Sequence, residues 1–397
     1  MRVLHIITRL DRGGSSDNTL LSCIGQLRRG CDVTLACGTG LTEESPLRER
    51  AEAEGVKVVR LPSLVRPVRP LRDLAALWAC TRLIRRGRFD IVHTHTSKAG
   101  ILGRLAARLA GRPKVIHTPH GHVFYGYFGP LRSRLFVWAE RLMARWTDAV
   151  VTLTDREAEE HLEAGVGRPG LFVTVFSGIP LPGRQGGLSP GEKRARRAAL
   201  GLPAEGVLIG SVGRLDPVKG HGALIRALAR IRERHPAARL LLVGDGGERA
   251  AYEALAGELG VRDRVFFLGW RQDVEELLET MDLFVLPSLN EGMGRAIVEA
   301  MAAGLAVVAS RVGGVAEVVE EGATGLLVPA ADPASLAEAM DRLLSRPEER
   351  EAMGSEGRRR ARRFSDEAMC DRLDALYRRL LSPLSPDSAS PAGGSAS

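Results

Sequence analysis

The sequence predicts an α/β protein made of two doubly wound parallel sheets that face each other across a cleft. Three observations predict it. Short continuous apolar runs alternate with helical segments through the first 176 residues, a Gly/Pro-rich stretch interrupts them, and the same alternation then restarts. Continuous apolar runs mark strands buried on both faces, which requires helices on both sides of a parallel sheet. At 397 residues the chain is long for one core and comfortable for two.

In the first half the expected strands are 3–8, 32–36, 56–61, 91–93, 115–118, 149–153 and 172–176. A Gly13-Gly14 turn leads from the first of them into a helix that Ser15 or Ser16 is placed to cap. The stretch "SGIPLPGRQGGLSPGEK" (177–193) reads as an inter-domain linker. In the second half the expected strands are 207–212, 240–243, 265–268, 283–286, 306–309 and 326–328. The domains are therefore set at 1–180 and 181–364, and the Ser/Pro/Ala/Gly-rich tail 382–397 is expected to be disordered. In such sheets ligands bind outside the carboxyl ends of the strands.

Composition excludes several classes. No apolar run approaches the roughly 18 residues of a membrane span. The N-terminus, MRVLHIITRL, lacks the apolar core and small-residue cleavage site of a signal peptide. Five cysteines, odd in number and without a C-x-x-C pair, give neither a disulfide framework nor zinc spacing. A reducing cytoplasm is the expected location. Residues 1–180 hold 27 Lys+Arg against 17 Asp+Glu, a balance of +10, while the remainder holds 29 against 31, a balance of −2. The excess positive charge lies wholly in the first half, where it suits anionic lipid or an anionic acceptor. Nucleic acid is not an expected partner.

The segment "NEGMGRAIVEAMAAGLAVVAS" (290–310) carries the most informative chemistry. Gly292 and Gly294, with Met293 between them, leave backbone N–H groups bare where a helix begins, and a helix N-terminus attracts anions. Glu291 and Glu299, eight residues apart, would be repelled by an anion unless they bind hydroxyls on the same ligand. "GSVGRLDPVKGHG" (210–222) places Arg214 and Lys219 in a loop after a strand, suited to a diphosphate. Lys219 is one of only five lysines among 56 basic residues, which hints that a compact point charge is wanted there. "LLVGDGGE" (241–248) adds Gly244 and Gly246 at a third strand exit. "RGGSS" is not G-x-G-x-x-G, so Gly13 and Gly14 suit close approach to phosphate or sugar better than a nicotinamide dinucleotide.

Five of the nine histidines, His93, His95, His117, His120 and His122, lie within thirty residues at the edge of the first sheet. No Asp, Glu or Cys stands beside them to complete a metal shell. His120, next to Gly121, is the one best placed for a ligand, whereas His93 and His117 sit in strand sequence and read as structural. The segment 129–146 carries Leu131, Leu135, Trp138, Leu142 and Trp146 at helical spacing, with Arg132, Arg134, Arg141 and Arg145 between them. It reads as a sheet-covering helix that could also rest on a membrane surface.

As a set, "GRLDPVKG", "VGDG", "FLGWRQDVEELLETMDLFVLPSLNEGMGRAIVEAMAAGLAVVAS" and "GGVAEVVEEGATGLLVPAADPASLAEAM" resemble the retaining glycosyltransferases of family 4, as do the "RGG" loop and "TPHGHVF". The resemblance covers about residues 2–380. It implies the GT-B fold: two facing Rossmann-like domains, the acceptor mostly on the first, the nucleotide-sugar donor mostly on the second. A final helix, about 365–380, would cross back onto the first domain. It further implies that Arg214 and Lys219 hold the donor diphosphate, Glu291 and His120 contact the transferred sugar, Glu299 binds the ribose, and Gly14 lines the diphosphate from across the cleft. No metal and no cofactor beyond a UDP- or GDP-linked donor is implied. The acceptor would be a glycan or a lipid-linked molecule, with peripheral contact at the inner face of the plasma membrane. The hinge "FSGIPL" departs from the family's usual Asn-Gly-Ile-Asp type. Two rival readings are a nucleotide-sugar epimerase of the same architecture and a non-enzymatic two-lobed binding protein.

Overall fold

A computed structural model describes residues 1–11, 13–39, 45–111, 113–121, 130–181 and 187–382. His122 and the tail from 383 onward lie outside the described residues. The first sheet has seven strands: β1 (Arg2–Ile7), β2 (Asp32–Cys37), β3 (Lys57–Arg60), β4 (Ile91–His95), β5 (Lys114–Thr118), β6 (Ala149–Thr152) and β7 (Phe172–Thr174). They run parallel in the order β3-β2-β1-β4-β5-β6-β7, so the winding reverses between β1 and β4. The second has six: β8 (Val207–Val212), β9 (Ala238–Val243), β10 (Val265–Gly269), β11 (Leu283–Leu286), β12 (Val307–Ser310) and β13 (Gly325–Val328). Their order, β10-β9-β8-β11-β12-β13, reverses between β8 and β11. Every expected strand is present; the central ones are continuous apolar runs buried on both faces, whereas the edge strands β3 and β7 are only partly buried.

Four local expectations are corrected. β4 extends to His95, since the alternation of His93, Thr94 and His95 stays in register with β5. The first helix begins at Gly14 with Gly13 as its N-cap and no side-chain cap, so neither Ser15 nor Ser16 caps it. Part of the presumed linker is helical: Ser189 and Glu192 form a capping box that starts the helix Pro190–Ala199. The basic helix closes at Ala144, which leaves Trp146 beyond its end.

The last helix, Asp366–Leu381, begins at its Ser365 cap and returns to the first domain. Met369, Cys370, Leu373, Leu376 and Tyr377 lie in one apolar cluster with the first sheet and the helix Gly14–Arg28. At about 25 cal/mol per Å2 of apolar surface, such a five-residue face contributes on the order of several kcal/mol. The hinge is stitched where the chain crosses, by Ile179 N–H donating to the Phe364 carbonyl (3.0 Å) and Asp366 N–H to the Ile179 carbonyl (3.1 Å). Asn18 supplies the amide that the hinge sequence lacks: its Oδ1 accepts from the Ser177 hydroxyl (2.9 Å) and from Gly178 N–H (3.1 Å). All five cysteines are free and buried. No helix among the described residues is long and apolar enough to cross a membrane.

Candidate active site

Gly14, His120, Arg214, Lys219, Gly244, Gly246, Glu291 and Gly294 lie at or just beyond the carboxyl edges of the two sheets, and the two edges face each other. Contacts among the described residues join them. From the second domain, the Arg295 guanidinium donates to the Ser177 hydroxyl (2.7 Å) and the Gly178 carbonyl (2.8 Å). Its aliphatic part crosses Gly14, where a Cβ would stand 3.1 Å from Arg295 Cδ. The Glu317 carboxylate accepts from the N–H groups of Asp155 and Arg156 (both 2.8 Å), so an acid of one domain caps a helix of the other. Gly314 packs against the Thr154 side chain.

On the second domain, Lys219 reaches from the loop after β8 to pair with Glu291 in the loop after β11. Ser288 Oγ donates to the same carboxylate oxygen (2.9 Å). Arg214 is largely exposed and sits 3.0 Å from Asp216. Gly244 and Gly246 have a packing role in this arrangement: side chains there would run into the backbone of Gly213 and Leu215, so the β9 exit could not close on the Arg214 loop. Gly294 adopts φ +77° and forms the N-cap of the helix Arg295–Ala302, a conformation that favours glycine. Among the described residues, none accepts a hydrogen bond from the backbone N–H groups of residues 292–296, as the sequence implied. The Met293 side chain is in the core, leaving only its backbone for a ligand. Glu299 lies one helical turn from Arg295. Burial raises its carboxyl pKa while the Arg295 charge opposes the rise.

On the first domain, three buried side chains and the partly buried His120 form a continuous chain. Gln26 Oε1 meets His5 Nε2 (2.8 Å), His5 Nδ1 meets His95 Nε2 (2.8 Å), and His95 Nδ1 meets His120 Nε2 (2.9 Å). His93 lies beside them, bonded to Tyr377 Oη (2.5 Å) and Thr118 Oγ1 (2.7 Å), and His117 to Thr94. His5, His93 and His95 have nitrogens within 4.8 Å of one another, a spacing that a metal could use. All six of those ring nitrogens already have hydrogen-bond partners, so the set reads as a hydrogen-bonded array. Burial holds His5 down at about 4 and His120 at about 3, the latter helped by the Arg295 charge, and His95 well below its usual value. The imidazoles are therefore neutral at pH 7. His120 itself has φ +60°, unusual for a non-glycine residue. The next N–H, Gly121, is held by buried Glu157 (3.0 Å), whose other oxygen accepts from Leu153 N–H (2.7 Å).

Sequence reasoning missed Arg295, Glu317, Glu157, Gln26 and His5. Arg295 carried a signal, since a cation in the first turn of a helix opposes the dipole and needs a reason. The others owe their roles to partners distant in the chain.

Residues 13–175 match the family model described as a glycosyl transferase 4-like domain, and residues 192–360 match that of glycosyl transferases group 1. The putative glycosyltransferase EpsD of Bacillus subtilis is 32% identical, over 77% of this chain and 81% of EpsD. The chain is a family 4 glycosyltransferase. Another relative is the Escherichia coli UDP-Gal:alpha-D-GlcNAc-diphosphoundecaprenol alpha-1,3-galactosyltransferase, at 31% over 79% of this glycosyltransferase and 80% of that enzyme. Among solved structures, HepE of Anabaena in complex with UDP-glucose is 25% identical, with a TM-score of 0.78 over 95% of this chain and 99% of that one. The lipopolysaccharide glycosyltransferase WaaG, at 20% identity and a TM-score of 0.73, shares the fold. The glycosyltransferase thus has the GT-B fold.

Proposed function

We propose that this glycosyltransferase moves a sugar from a UDP-sugar to a lipid-linked or glycan acceptor of the cell envelope, with retention of anomeric configuration and without a tightly bound metal. The observation that carries the reading is the donor-side cluster. Two carboxylates flank a bare helix start, and Lys219 stands at hydrogen-bond reach of one of them. Donor binding exchanges the partner of Lys219. The diphosphate takes the ammonium, and Glu291, still held by Ser288, turns its free lone pairs to the sugar hydroxyls. Arg214, exposed beside Asp216, adds the second cation. Glu299 meets the ribose hydroxyls. The two cationic side chains and the helix N–H groups stabilise the departing diphosphate, the task a divalent ion performs elsewhere. The bond from C1 to the diphosphate oxygen breaks, the acceptor oxygen bonds C1 on the same face, and the acceptor proton passes to the leaving phosphate oxygen. Glu291 positions the sugar and is not a base in this scheme.

The choice of UDP follows relatives that act on UDP-Gal or hold UDP-glucose. A lipid-linked acceptor is favoured by the outer face of the first domain. The helix Pro70–Gly87 exposes Leu71, Leu74 and Trp78, the helix Pro130–Ala144 exposes Leu131, Leu135 and Trp138, and both pack on the helix Ser97–Ala110 between them. Arg66, Arg69, Arg72, Arg134 and Arg145 are exposed on the same elements or at their ends, whereas Arg141 is tied to the Ala164 carbonyl. Tryptophan with arginine suits the headgroup region of an anionic membrane. Thermal unfolding with a panel of UDP- and GDP-sugars tests the donor: UDP-sugars are expected to raise Tm and GDP-sugars not, and a panel without effect would sink the nucleotide-sugar reading.

A further inference from the structure

We propose that Gln26, through His5 and His95, sets the tautomer of His120 so that its Nδ1 presents a bare lone pair to the cleft. Gln26 is a positioning residue, four side chains removed from the ligand it serves.

The inference starts from hydrogen-bond polarity. A neutral imidazole has one N–H and one lone pair, so in a chain of neutral imidazoles the end group decides every member. With the Gln26 oxygen facing His5, His5 must carry its proton on Nε2 and accept on Nδ1. His95 then donates from Nε2 and accepts on Nδ1, and His120 donates from Nε2. That leaves His120 Nδ1 without a proton. Turning the Gln26 amide over would reverse all three rings and put an N–H there instead.

Three observations fix the polarity. Gln26 Oε1 is the amide atom at hydrogen-bond distance from His5 Nε2 (2.8 Å), while Gln26 Nε2 has no hydrogen-bond partner among the described residues. Second, His120 Nδ1 is buried with no partner among the described residues. An orphaned N–H is the costlier of the two possibilities. Third, the Arg295 charge acts directly on His120, and a cation favours a lone pair facing it over an N–H dipole. The neutrality the chain requires is supplied by burial, with His5 and His95 fully buried and His120 partly so. The strained backbone of His120, clamped through Gly121 by Glu157, aims the ring and keeps its Nε2 on His95.

The consequence rests on the transfer reading above. A bare Nδ1 accepts from a hydroxyl and rejects a group that can only accept. Replacement of the contacted hydroxyl by fluorine is therefore predicted to cost as much as its removal, whereas an N–H there would tolerate fluorine.

The tautomer can be read without any donor. Protein labelled with 15N-histidine is examined by long-range 1H–15N correlation at about pH 7.5, above the ordinary histidine range, with His120 assigned by the loss of its signals in His120→Asn. We expect a single Nε2–H tautomer for His5, His95 and His120. Gln26→Met, of similar length but with no amide, should produce mixed tautomers at His120, and Gln26→Glu, which keeps an acceptor, should restore the single form. With a donor in hand, kcat/KM should fall about tenfold in Gln26→Met, the scale of one neutral hydrogen bond, and recover in Gln26→Glu. An Nδ1–H signal from His120 in the wild type, or an unchanged tautomer in folded Gln26→Met, overturns the proposal. Should Gln26→Met fail to fold, the wild-type spectrum still decides the polarity. A null result with every UDP-sugar would instead strike the transfer reading and leave the tautomer standing.

Discussion

The two sheet edges solve opposite problems. On the second domain the groups are charged, partly exposed and drawn from loops, with Lys219 and Glu291 neutralising each other. On the first domain they are neutral, mostly buried and drawn largely from strands and a helix, with His5, His95 and His120 joined end to end. Loops carrying charge can trade one partner for another when an anion arrives. A buried chain of imidazoles cannot, and can only hold one orientation. The difference teaches that mobile charge sits on one face of the cleft and fixed geometry on the other.

The largest expected consequence is acid lability confined to the first domain. An unfolded histidine takes up a proton near its ordinary pKa of about 6.5, whereas folded His5 resists down to about 4 and folded His120 to about 3. Because the unfolded state binds protons first, stability falls as pH drops below about 6.5 and continues to fall until the folded pKa is reached. Each group held near 4 costs about 3 kcal/mol across that window, and two or three such groups erase the stability of an ordinary domain. His93, His95 and His117 are depressed as well, against His221 alone, at about 4, in the second domain. Glu157, raised to about 7 by burial, works in the reverse sense as the folded form takes its proton first, but it is one group. Limited proteolysis at pH 7 and pH 5 should show cuts gathering in residues 1–180 while the second domain survives. Equal resistance of the first domain at both values would break the contrast.

A smaller effect is expected on the mobile-charge side, and of a different kind. Lys219→Ala removes a charge-assisted contact worth about 1.5–3 kcal/mol, so kcat/KM for the donor should drop about ten- to a hundredfold. Thermal stability should change little, because the ion pair is partly exposed. Near wild-type turnover at sub-saturating donor, or a large loss of Tm, would show that Lys219 is structural.

The smallest effect concerns the outer face of the first domain. Each basic residue near an anionic surface contributes about 1 kcal/mol, so the protein should sediment with anionic vesicles at low salt and dissociate at high salt. Trp78→Ala with Trp138→Ala should weaken this without altering donor use. A protein that stays in the supernatant with anionic and neutral vesicles alike would make a soluble acceptor the better choice.

These contrasts also mark what could be read in the chain. Both sheets and the grouping of Lys219, Glu291 and Gly294 were legible, because each rests on a short stretch: an apolar run, a glycine pair, or a charge one loop away, while the crossover helix was implied by the family resemblance. Gly294, Glu291 and Glu299 all fall within one ten-residue window. The histidine chain was not legible beyond His120. His5 lies 90 residues from His95 and meets it only because β1 and β4 are neighbours at the winding reversal. Gln26 sits on a helix whose start was misjudged, and Tyr377 arrives on a helix that crosses from the far end of the chain. Arg295 stood in plain view and was overlooked, since its partners at Ser177 and Gly178 belong to the hinge of the other domain.

The central claim, metal-free transfer with retention, is tested most directly by the stereochemistry of donor cleavage. The enzyme, treated with excess EDTA, is incubated with UDP-α-glucose or UDP-α-galactose, and the first sugar released to water is followed by 1H NMR before it mutarotates. The account predicts that cleavage proceeds and that the α anomer appears first. Release of the β anomer would contradict retention, and cleavage abolished by EDTA but restored by magnesium or manganese would contradict the role assigned to Arg214 and Lys219.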